Sequence, residues 1–536
     1  MLSDTAITCF EKEYPLVKLF KQDGKNVIYD AKPHFAFILS DEELAVLLDV
    51  LESEENGDTA DINFPSPSPE NSRNIRLKFM EMLRSGVFIK GPLEEISPVD
   101  RDRIGDQLKY YDENILLRKF CLEVTENCNF RCTYCKRTIA AASGGHFSTD
   151  LSEENAFMGI RYYFRKYTSF FAGLSEEKQK LLLDVVPPGL SWYGGEPFLN
   201  FGLIKKTAEY FKALPWNEYS IDNDALHFTA NTNLSIMNEE ILRFLVDNQV
   251  GLYASLDGPA EEHDKCRVFD NGRGTFDLAY SNLLKIKDFD EEYFNKHVSL
   301  FGVYTNRHDQ KKCAEFNSSL GAFRCEHFPA QYTGIFVPDV ETAIKNYDGS
   351  FQDSLQHFRD RAREESEKQD INMELFSGLF GFNRLNVDQP SGKSSLDISV
   401  TCPMGFDNLM VAANGDLLIC HKSDGNMPIG NCTSGLDMEK LVDLNEKYNS
   451  SINNMECKNC WAIHFCKICA AARMSPDGFI NPTRRECDFF RLATEFRFAC
   501  YFHLSEEHPD LLQKIADYLN DPKHFIGVID KNEFQK

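Results

Sequence analysis

One short run constrains this 536-residue chain more than any other. It is Cys128-Asn129-Phe130-Arg131-Cys132-Thr133-Tyr134-Cys135, a C-x3-C-x2-C loop with an aromatic residue before its last cysteine. The strand-like apolar run Phe120-Cys121-Leu122-Glu123-Val124 delivers the chain into it. Thiolates are the usual protein ligands of iron–sulfur clusters. Three of them on one tight loop can hold three irons of a cubane and leave the fourth open for a small molecule. A zinc knuckle is the other reading. Zinc sites favour four ligands in two separated pairs, and this loop offers no obvious fourth.

The remaining cysteines extend the argument. Of 17 in the chain, eight crowd between Cys402 and Cys487, while Cys9, Cys121, Cys266, Cys313, Cys325 and Cys500 are scattered. The start, Met1-Leu2-Ser3-Asp4, is not a signal peptide, so the clustering points to metal ligands rather than disulfides. A net charge of −25 argues against nucleic acid and against anionic membranes as partners. No apolar run approaches the length of a membrane span. The expectation is a soluble cytoplasmic protein of roughly two to four domains.

Residues 1–115 carry their own pattern. Leu16-Val17-Lys18-Leu19-Phe20 and Val27-Ile28-Tyr29, split by Gln22-Asp23-Gly24-Lys25, predict a hairpin, and His34 to Leu39 a third extended piece. Ser40 with Glu43 three residues on predicts a capped helix start, and Leu44, Leu47, Leu48 and Leu51 share one helical face. A proline-spaced linker, Phe64 to Pro69, leads to a second helix, Ile75 to Leu83, and a wing-like Ser85-Gly86-Val87-Phe88-Ile89. The pattern is that of a small winged helix, and it resembles the leader-peptide recognition domain fused to many peptide-modifying enzymes. A DNA-binding module or a general docking module is the alternative, and the acidic balance weakens the DNA version.

From 116 to 335 the chain alternates strands and helices, as parallel α/β architectures do. Candidate strands are 119–125, 189–193, 226–231, 251–256, 297–304 and 323–329; helices fall near 152–166, 202–213, 238–248, 276–288 and 309–319. Ligand residues of such barrels gather at the carboxyl ends of the strands. Trp192-Tyr193-Gly194-Gly195-Glu196-Pro197 follows the second strand. Its glycines allow close backbone approach, and Glu196 can pair with an ammonium group. Asn231-Thr232-Asn233 follows the third strand, and Ser255-Leu256-Asp257-Gly258-Pro259, then His263, Asp264 and Arg267, follow the fourth. A serine can bond a ribose or carboxylate oxygen, and an arginine can fork onto a carboxylate. Each, taken alone, reads equally as a turn residue satisfied locally.

Together these motifs resemble radical S-adenosylmethionine enzymes. The cluster loop and its strand match that family's, and the Gly194–Pro197 turn resembles the GGEP motif that holds the amino group of S-adenosylmethionine. Asn231-Thr232-Asn233 is similar to the family's TNG-type turn, with Leu234 in place of the glycine, which leaves its ligand contact open. Residues 255–267 with Gly272-Arg273-Gly274-Thr275-Phe276 resemble a segment of sulfatase and peptide maturases. The resemblance implies an S-adenosylmethionine site built from Tyr134, Gly194, Gly195, Glu196, Ser255, Asp257 and Arg267.

After a linker, 336–395, comes a second array: Cys402-x12-Gly415-x4-Cys420, then Cys457-x2-Cys460-x5-Cys466-x2-Cys469, then Cys487. This is enough thiolate for two metal centres. Two CxxC pairs are also strong zinc evidence, although no conveniently spaced His accompanies them. The segment 396–490 resembles the SPASM twin-cluster domain of the same superfamily, except that one residue is missing between Cys466 and Cys469. The resemblance implies an inner auxiliary cluster on Cys402, Cys420 and Cys469 and an outer one on Cys457, Cys460, Cys466 and Cys487. Cys432 is a candidate fourth inner ligand; otherwise that iron is open to a substrate thiolate. His421 lies where related maturases carry a catalytic acid, with a donor to cluster sulfur as its blander role. Residues 491–536 read as amphipathic helices and a tail.

The expected fold class is therefore α/β: a partial (β/α)6 TIM-like barrel between an N-terminal winged-helix peptide-recognition domain and a C-terminal iron–sulfur SPASM domain. The resemblance implies three 4Fe-4S clusters, S-adenosylmethionine, and a flavodoxin- or ferredoxin-type electron donor. It further implies a radical SAM oxidoreductase that abstracts hydrogen from a precursor peptide with a leader sequence. The expected product is an intramolecular crosslink, a cysteine thioether first and a C–C or C–O bond close behind. Formylglycine formation on a sulfatase is an alternative against which the N-terminal hundred residues speak. An iron–sulfur transcriptional sensor is another, in which the GGEP-like turn would have no job.

Overall fold

A strand buried on both faces sets the architecture. Lys119–Thr125 is exposed only at its first residue, the pattern of an interior strand in a parallel sheet covered on both sides. The computed structural model describes residues 14–56, 69–88, 101–138, 148–329, 355–368, 402–520 and 529–534, apart from single positions and short turns within these spans, together with Ile371 and Phe376. The proline-spaced stretch 64–68 and most of the 336–395 connection lie outside the described residues.

An antiparallel sheet opens the chain in the order β1 (Val17–Gln22), β2 (Lys25–Asp30), β3 (Phe35–Leu39). The helix Asp41–Asn56 follows, and its start carries the expected reciprocal cap: Glu43 N–H to Ser40 Oγ at 3.1 Å and Ser40 N–H to Glu43 Oε2 at 2.8 Å. The second helix is longer than expected, Pro69–Arg84 rather than Ile75 to Leu83, since a proline is tolerated in a first helical turn. Val87 and Phe88 form no wing strand. Both side chains are buried in the module's core, and Phe88 N–H donates to Asp30 Oδ2 at 2.6 Å. The helix Arg101–Asn114 sends Ile104 and Leu108 into the main core instead of the module's core.

Six strands then lie side by side in chain order and parallel: β4 (Lys119–Thr125), β5 (Gly189–Gly194), β6 (His227–Thr232), β7 (Gly251–Ser255), β8 (Val298–Tyr304) and β9 (Arg324–Pro329). This open α/β sheet is consistent with a partial TIM-like barrel. Helices Glu153–Ala172, Phe201–Lys212, Glu239–Asp247, Phe276–Phe289 and Gln310–Ser318 lie between successive strands. Ser152, Asn238 and Asp309 accept a backbone N–H at the first turn of three of these helices. Trp192 fills the centre: it is fully buried, stacks on Phe228 at 5.4 Å and donates to Thr207 Oγ1 at 2.9 Å. Truncating such a residue costs about 3–5 kcal/mol.

The sheet does not stop at β4. On its far side β10 (Asn408–Val411) pairs parallel with β4, and β11 (Asp416–Leu418), β12 (Gly430–Asn431) and β13 (Gly435–Leu436) continue antiparallel to complete ten strands. The cysteine-rich segment thus shares one sheet with the barrel strands. Buried Asp407 pairs with Arg118, and Ala413 N–H donates to the buried Glu123 carboxylate at 3.0 Å. Helices Arg484–Glu507 and Pro509–Asn520 follow, the first opened by a Thr483–Glu486 capping box. Among the described residues, no helix is long and apolar enough to cross a membrane.

Candidate active site

The cluster loop leaves β4 and is clamped at once by the turn after β5. Gly195 N–H donates to Thr125 O at 2.9 Å and Glu196 N–H to Asn127 O at 2.8 Å. A Cβ on Gly195 would stand 2.1 Å from Asn127 O, and one on Gly194 2.3 Å from Thr125 O. Side chains are excluded here because backbone lies against backbone. The Glu196 carboxylate is completely buried and accepts from Thr232 Oγ1 at 2.8 Å, Asn233 N at 2.7 Å and Phe198 N at 3.2 Å. Burial pushes its pKa up to about 7 against the pull of those donors.

Asn233 ties the turn after β6 to the same loop. Its Nδ2 donates to Asn129 Oδ1 at 3.1 Å and lies 3.7 Å from Cys128 Sγ, which also receives Phe130 N–H at 3.4 Å. Ser235 Oγ adds a bond to Asn129 Oδ1 at 3.0 Å. Sequence reasoning leaves Asn233 open and does not single out Asn129; the available signal is an asparagine just beyond each of β4 and β6, two strands that flank β5. Leu234, in the glycine position of the family's turn, keeps a left-handed backbone with φ of 63° and is fully buried.

The opposite wall comes from the segment after β7. Arg131 N–H donates to Val268 O at 2.7 Å and Thr133 N–H to Cys266 O at 2.9 Å, and the Phe130 and Phe269 rings meet edge-on at 5.2 Å. Behind this contact, Asp257 Oδ2 accepts the Tyr134 hydroxyl at 2.8 Å and lies 3.0 Å from Arg267 Nε, while Val303 N–H donates to Oδ1 at 2.8 Å. The Arg267 guanidinium sits 5.5 Å from the Tyr134 ring centre. Burial is the largest single influence and opposes its charge, but Asp257, Tyr134 and Cys132 together outweigh burial and hold the pKa above its ordinary value. Tyr134, Asp257 and Arg267 are thus brought together, while Ser255 stands half-buried at the end of β7.

His263 and Asp264 build the turn instead. Asp257 N–H donates to His263 Nδ1 at 3.3 Å, and His263 Nε2 faces Thr275 Oγ1 at 3.1 Å, whose own hydroxyl donates to Arg267 O at 2.9 Å. This network assigns the neutral Nε2–H tautomer, and burial lowers the imidazole to about 4. Asp264 Oδ1 accepts Thr275 N–H at 2.8 Å and Phe276 N–H at 2.9 Å.

The donor set fits a cluster. Burial pushes the Cys128 thiol up to about 11 and Cys132 up to about 12, and the neighbouring thiols push further. Such thiols persist as thiolates when they share a cation. Among the described residues, no three His, Cys, Asp or Glu side chains converge as a one-ion site requires; a cubane takes its thiolates at separate corners.

Cys402 and Cys420 each feel the charge of Cys469. Cys487 feels Cys460, which also acts on Arg491 one helical turn beyond Cys487. Cys457 and Cys460 face across one turn, Cys460 N–H to Cys457 O at 3.0 Å, and Tyr448 is influenced by Cys466, Cys457 and Cys469. Cys432 stands just after β12. It is buried in the main core, its backbone N–H donates to Gly415 O at 2.9 Å, and the charges that act on it are Asp416 and Glu154.

Tyr193 stands between the two arrays. Its ring lies 5.2 Å from that of His421, and burial lifts its hydroxyl to about 12, with Cys135, Cys121 and Cys420 adding and Arg137 opposing. His421 is accessible to solvent yet hemmed in by protein, which lowers its pKa to about 4 and keeps it neutral near pH 7.

The comparisons agree with this geometry. The family model described as the radical SAM superfamily matches residues 122–309. A cysteine-type anaerobic sulfatase-maturating enzyme of Clostridium novyi is 25% identical over 190 residues, 35% of this chain and 44% of the relative, so the match spans less than half of that protein. The structure of anSMEcpe with bound AdoMet shares the fold over 74% of this chain and 99% of that one, at a TM-score of 0.50 and 18% identity. Streptococcus suis SuiB bound to precursor peptide SuiA aligns over 87% of this chain and 98% of that one, at 12% identity and a TM-score of 0.40. Matched by its family model and built around a cysteine loop on a six-stranded parallel sheet, residues 122–309 of this chain are a radical SAM domain, a domain that implies a 4Fe-4S cluster and S-adenosylmethionine.

Proposed function

We propose that this chain is a radical SAM peptide maturase that takes hydrogen from a ribosomally made precursor peptide and closes an intramolecular crosslink, a cysteine thioether in the first instance. The observation that carries the reading is the pairing of β10 with β4. It joins the array of thiols to the sheet that bears the cluster loop, with Tyr193 between them. The N-terminal sheet adds support: β3 pairs with β2 on one side and, among the described residues, with no strand on the other. An extended peptide can add to such an edge through main-chain bonds, which suits a leader sequence.

Cys128, Cys132 and Cys135 would hold the reducible cluster, and a flavodoxin or ferredoxin would reduce it. When bound, the cluster and S-adenosylmethionine supply hydrogen-atom abstraction, chemistry beyond the reach of side chains. Arg267 offers its positive charge to the methionyl carboxylate while Asp257 and Tyr134 fix its position. Glu196 presents a carboxylate at the glycine turn for the ammonium, and Ser255 a hydroxyl at the end of β7. Cys402, Cys420 and Cys469 would hold the inner auxiliary cluster and Cys457, Cys460, Cys466 and Cys487 the outer. Either Cys432 or a substrate cysteine would fill the fourth position of the inner group. His421, directly after Cys420, would take a proton during the reaction or, in its blander role, donate to cluster sulfur.

The second reading is sulfatase maturation, favoured by the activity in the Clostridium novyi relative's name. Mass spectrometry decides between them. A small peptide encoded beside this gene is co-expressed without oxygen with the wild type and with Cys128→Ala. Loss of hydrogen pairs together with free thiols, in the wild type alone, is the expected result. Hydrogen loss with thiols still free points to another crosslink, and an unchanged peptide in both excludes it as substrate.

A further inference from the structure

The N-terminal sheet is seated on the outer cysteine loop. One face of β1–β3 packs on its own helices, but Leu16, Val27, Tyr29 and Ala36 turn the other way and share an apolar cluster with Trp461, Phe465 and Phe498. Tyr29 is the pivot. It is fully buried, with ring centres 6.4 Å from Trp461, 5.6 Å from Phe465 and 5.0 Å from Phe498. His464 Nε2–H donates to Ala31 O at 2.8 Å, just past the end of β2. Lys18 pairs with Glu495 at 3.2 Å and Lys25 with Glu506 at 2.8 Å, closing the rim against the helix Arg484–Glu507.

The floor of this seat is the cysteine loop itself. Cys457 and Cys460 pack against the same apolar cluster, and Trp461, His464 and Phe465 lie between Cys460 and Cys466. Among its described residues, the loop from Cys457 to Cys466 is shaped by two short turns of 3-10 helix, Glu456–Asn459 and Ile463–Phe465. Segments this short lack the cooperative ladder that holds a helix in shape. Their form must come from what the thiols bind and from what the aromatic side chains touch.

We propose that the outer cysteine site is a mechanical latch: filling Cys457, Cys460, Cys466 and Cys487 fixes the loop and thereby seats the N-terminal sheet, so that cluster loading and peptide-edge order are coupled. This rests on the reading that these thiols hold an iron–sulfur cluster, and it gives that cluster a docking role distinct from electron transfer. Coupling of this kind is reciprocal, so loosening the sheet must also loosen the metal.

Full-length protein, reconstituted with iron and sulfide without oxygen, is compared with Cys457→Ala/Cys460→Ala by iron count and amide hydrogen exchange. Iron should fall by about four per chain, and exchange in Val17–Leu39 should quicken by about tenfold or more while Lys119–Thr125 stays protected. A full complement of iron overturns the ligand reading and the latch with it. Lost iron with unchanged exchange in Val17–Leu39 overturns the latch alone. Tyr29→Ala, which leaves every thiol in place, probes the reverse direction and decides alone where the cysteine variant does not fold. About four of its irons should pass to a chelator about tenfold faster than in the wild type, and equal release rates overturn the proposal.

Discussion

Asp257 and Arg267 form an ion pair at 3.0 Å with both side chains buried, and the Tyr134 hydroxyl donates to the same carboxylate oxygen. Replacing one partner of a buried pair strands the other charge in a poorly solvating medium, at a cost of about 3–5 kcal/mol. Arg267→Met should therefore lower unfolding free energy by about that amount, measured by urea denaturation. Adding Asp257→Asn should recover part of the loss. A double variant as unstable as the sum of the two single variants would show that the pair acts as two independent groups.

Leu234 tests backbone strain against packing. Its left-handed backbone costs a non-glycine residue roughly 1–2 kcal/mol, while emptying a buried leucine site costs about 2–5 kcal/mol. Packing outweighs strain, so both Leu234→Gly and Leu234→Ala should destabilise. Alanine keeps the strain and loses the packing, so it should be the worse by about 1 kcal/mol. Chemical denaturation orders the three chains, and a glycine variant more stable than wild type would reverse the balance.

Much of the barrel was legible because local chemistry announces it. The six parallel strands are legible to within about two residues of their ends, since most carry an apolar stretch that stops at a glycine or polar turn. The Ser40–Glu43 cap was equally plain. What stayed hidden is long-range or inward. Nothing near Asn408–Val411 says that it will pair with Lys119–Leu122, almost three hundred residues earlier. The segment Val87–Phe88 has strand-like residues, yet it is drawn into the module's core by its aromatic side chain. At the site, the spacing of the array marks metal-ligating thiols but does not say which of them share a centre, and Cys432, buried just after β12, carries no mark of its own. Glu196 and the two glycines were legible as a ligand turn. Their role in clamping the cluster loop needed the Thr125 and Asn127 carbonyls, which carry no mark in sequence.

Glu196 sets a pH dependence. Burial raises its pKa from 4.5 to about 7, so the folded chain holds a proton that the unfolded chain has released over that interval. The resulting stability is fully present below about pH 4.5 and is lost as pH rises through about 7, a change of ~3 kcal/mol. In the chain without S-adenosylmethionine, Glu196→Gln should flatten the stability curve between about pH 5 and about pH 8 by that amount. An ammonium ligand favours the carboxylate, so S-adenosylmethionine should bind the wild type more tightly as pH rises through this range. Thermal melts and binding titrations at matched pH read both, and parallel curves for the two chains would refute the shift.

Asn233 is the last test, because it separates a contact to the cluster from a contact to the loop. Its Nδ2 carries two hydrogens, one directed to Asn129 Oδ1 at 3.1 Å and one toward Cys128 Sγ at 3.7 Å. An N–H aimed at a ligand sulfur stabilises the more negative, reduced cluster and so raises its potential. A hydrogen bond of ~1 kcal/mol corresponds to about 40 mV for a one-electron couple. Asn233→Ala removes both contacts, together with the bond that Asn233 Oδ1 accepts from Ser235 N–H at 2.8 Å, and should lower the potential by about that amount, read by redox titration followed by electron paramagnetic resonance. Ser235→Ala removes only the bond to Asn129 and should leave the potential unchanged while loosening the loop to a similar degree. Equal shifts in the two variants would assign the effect to loop position. A shift in Asn233→Ala alone would assign it to the sulfur, and would explain why the turn after β6 presents an asparagine side chain to the loop at this point.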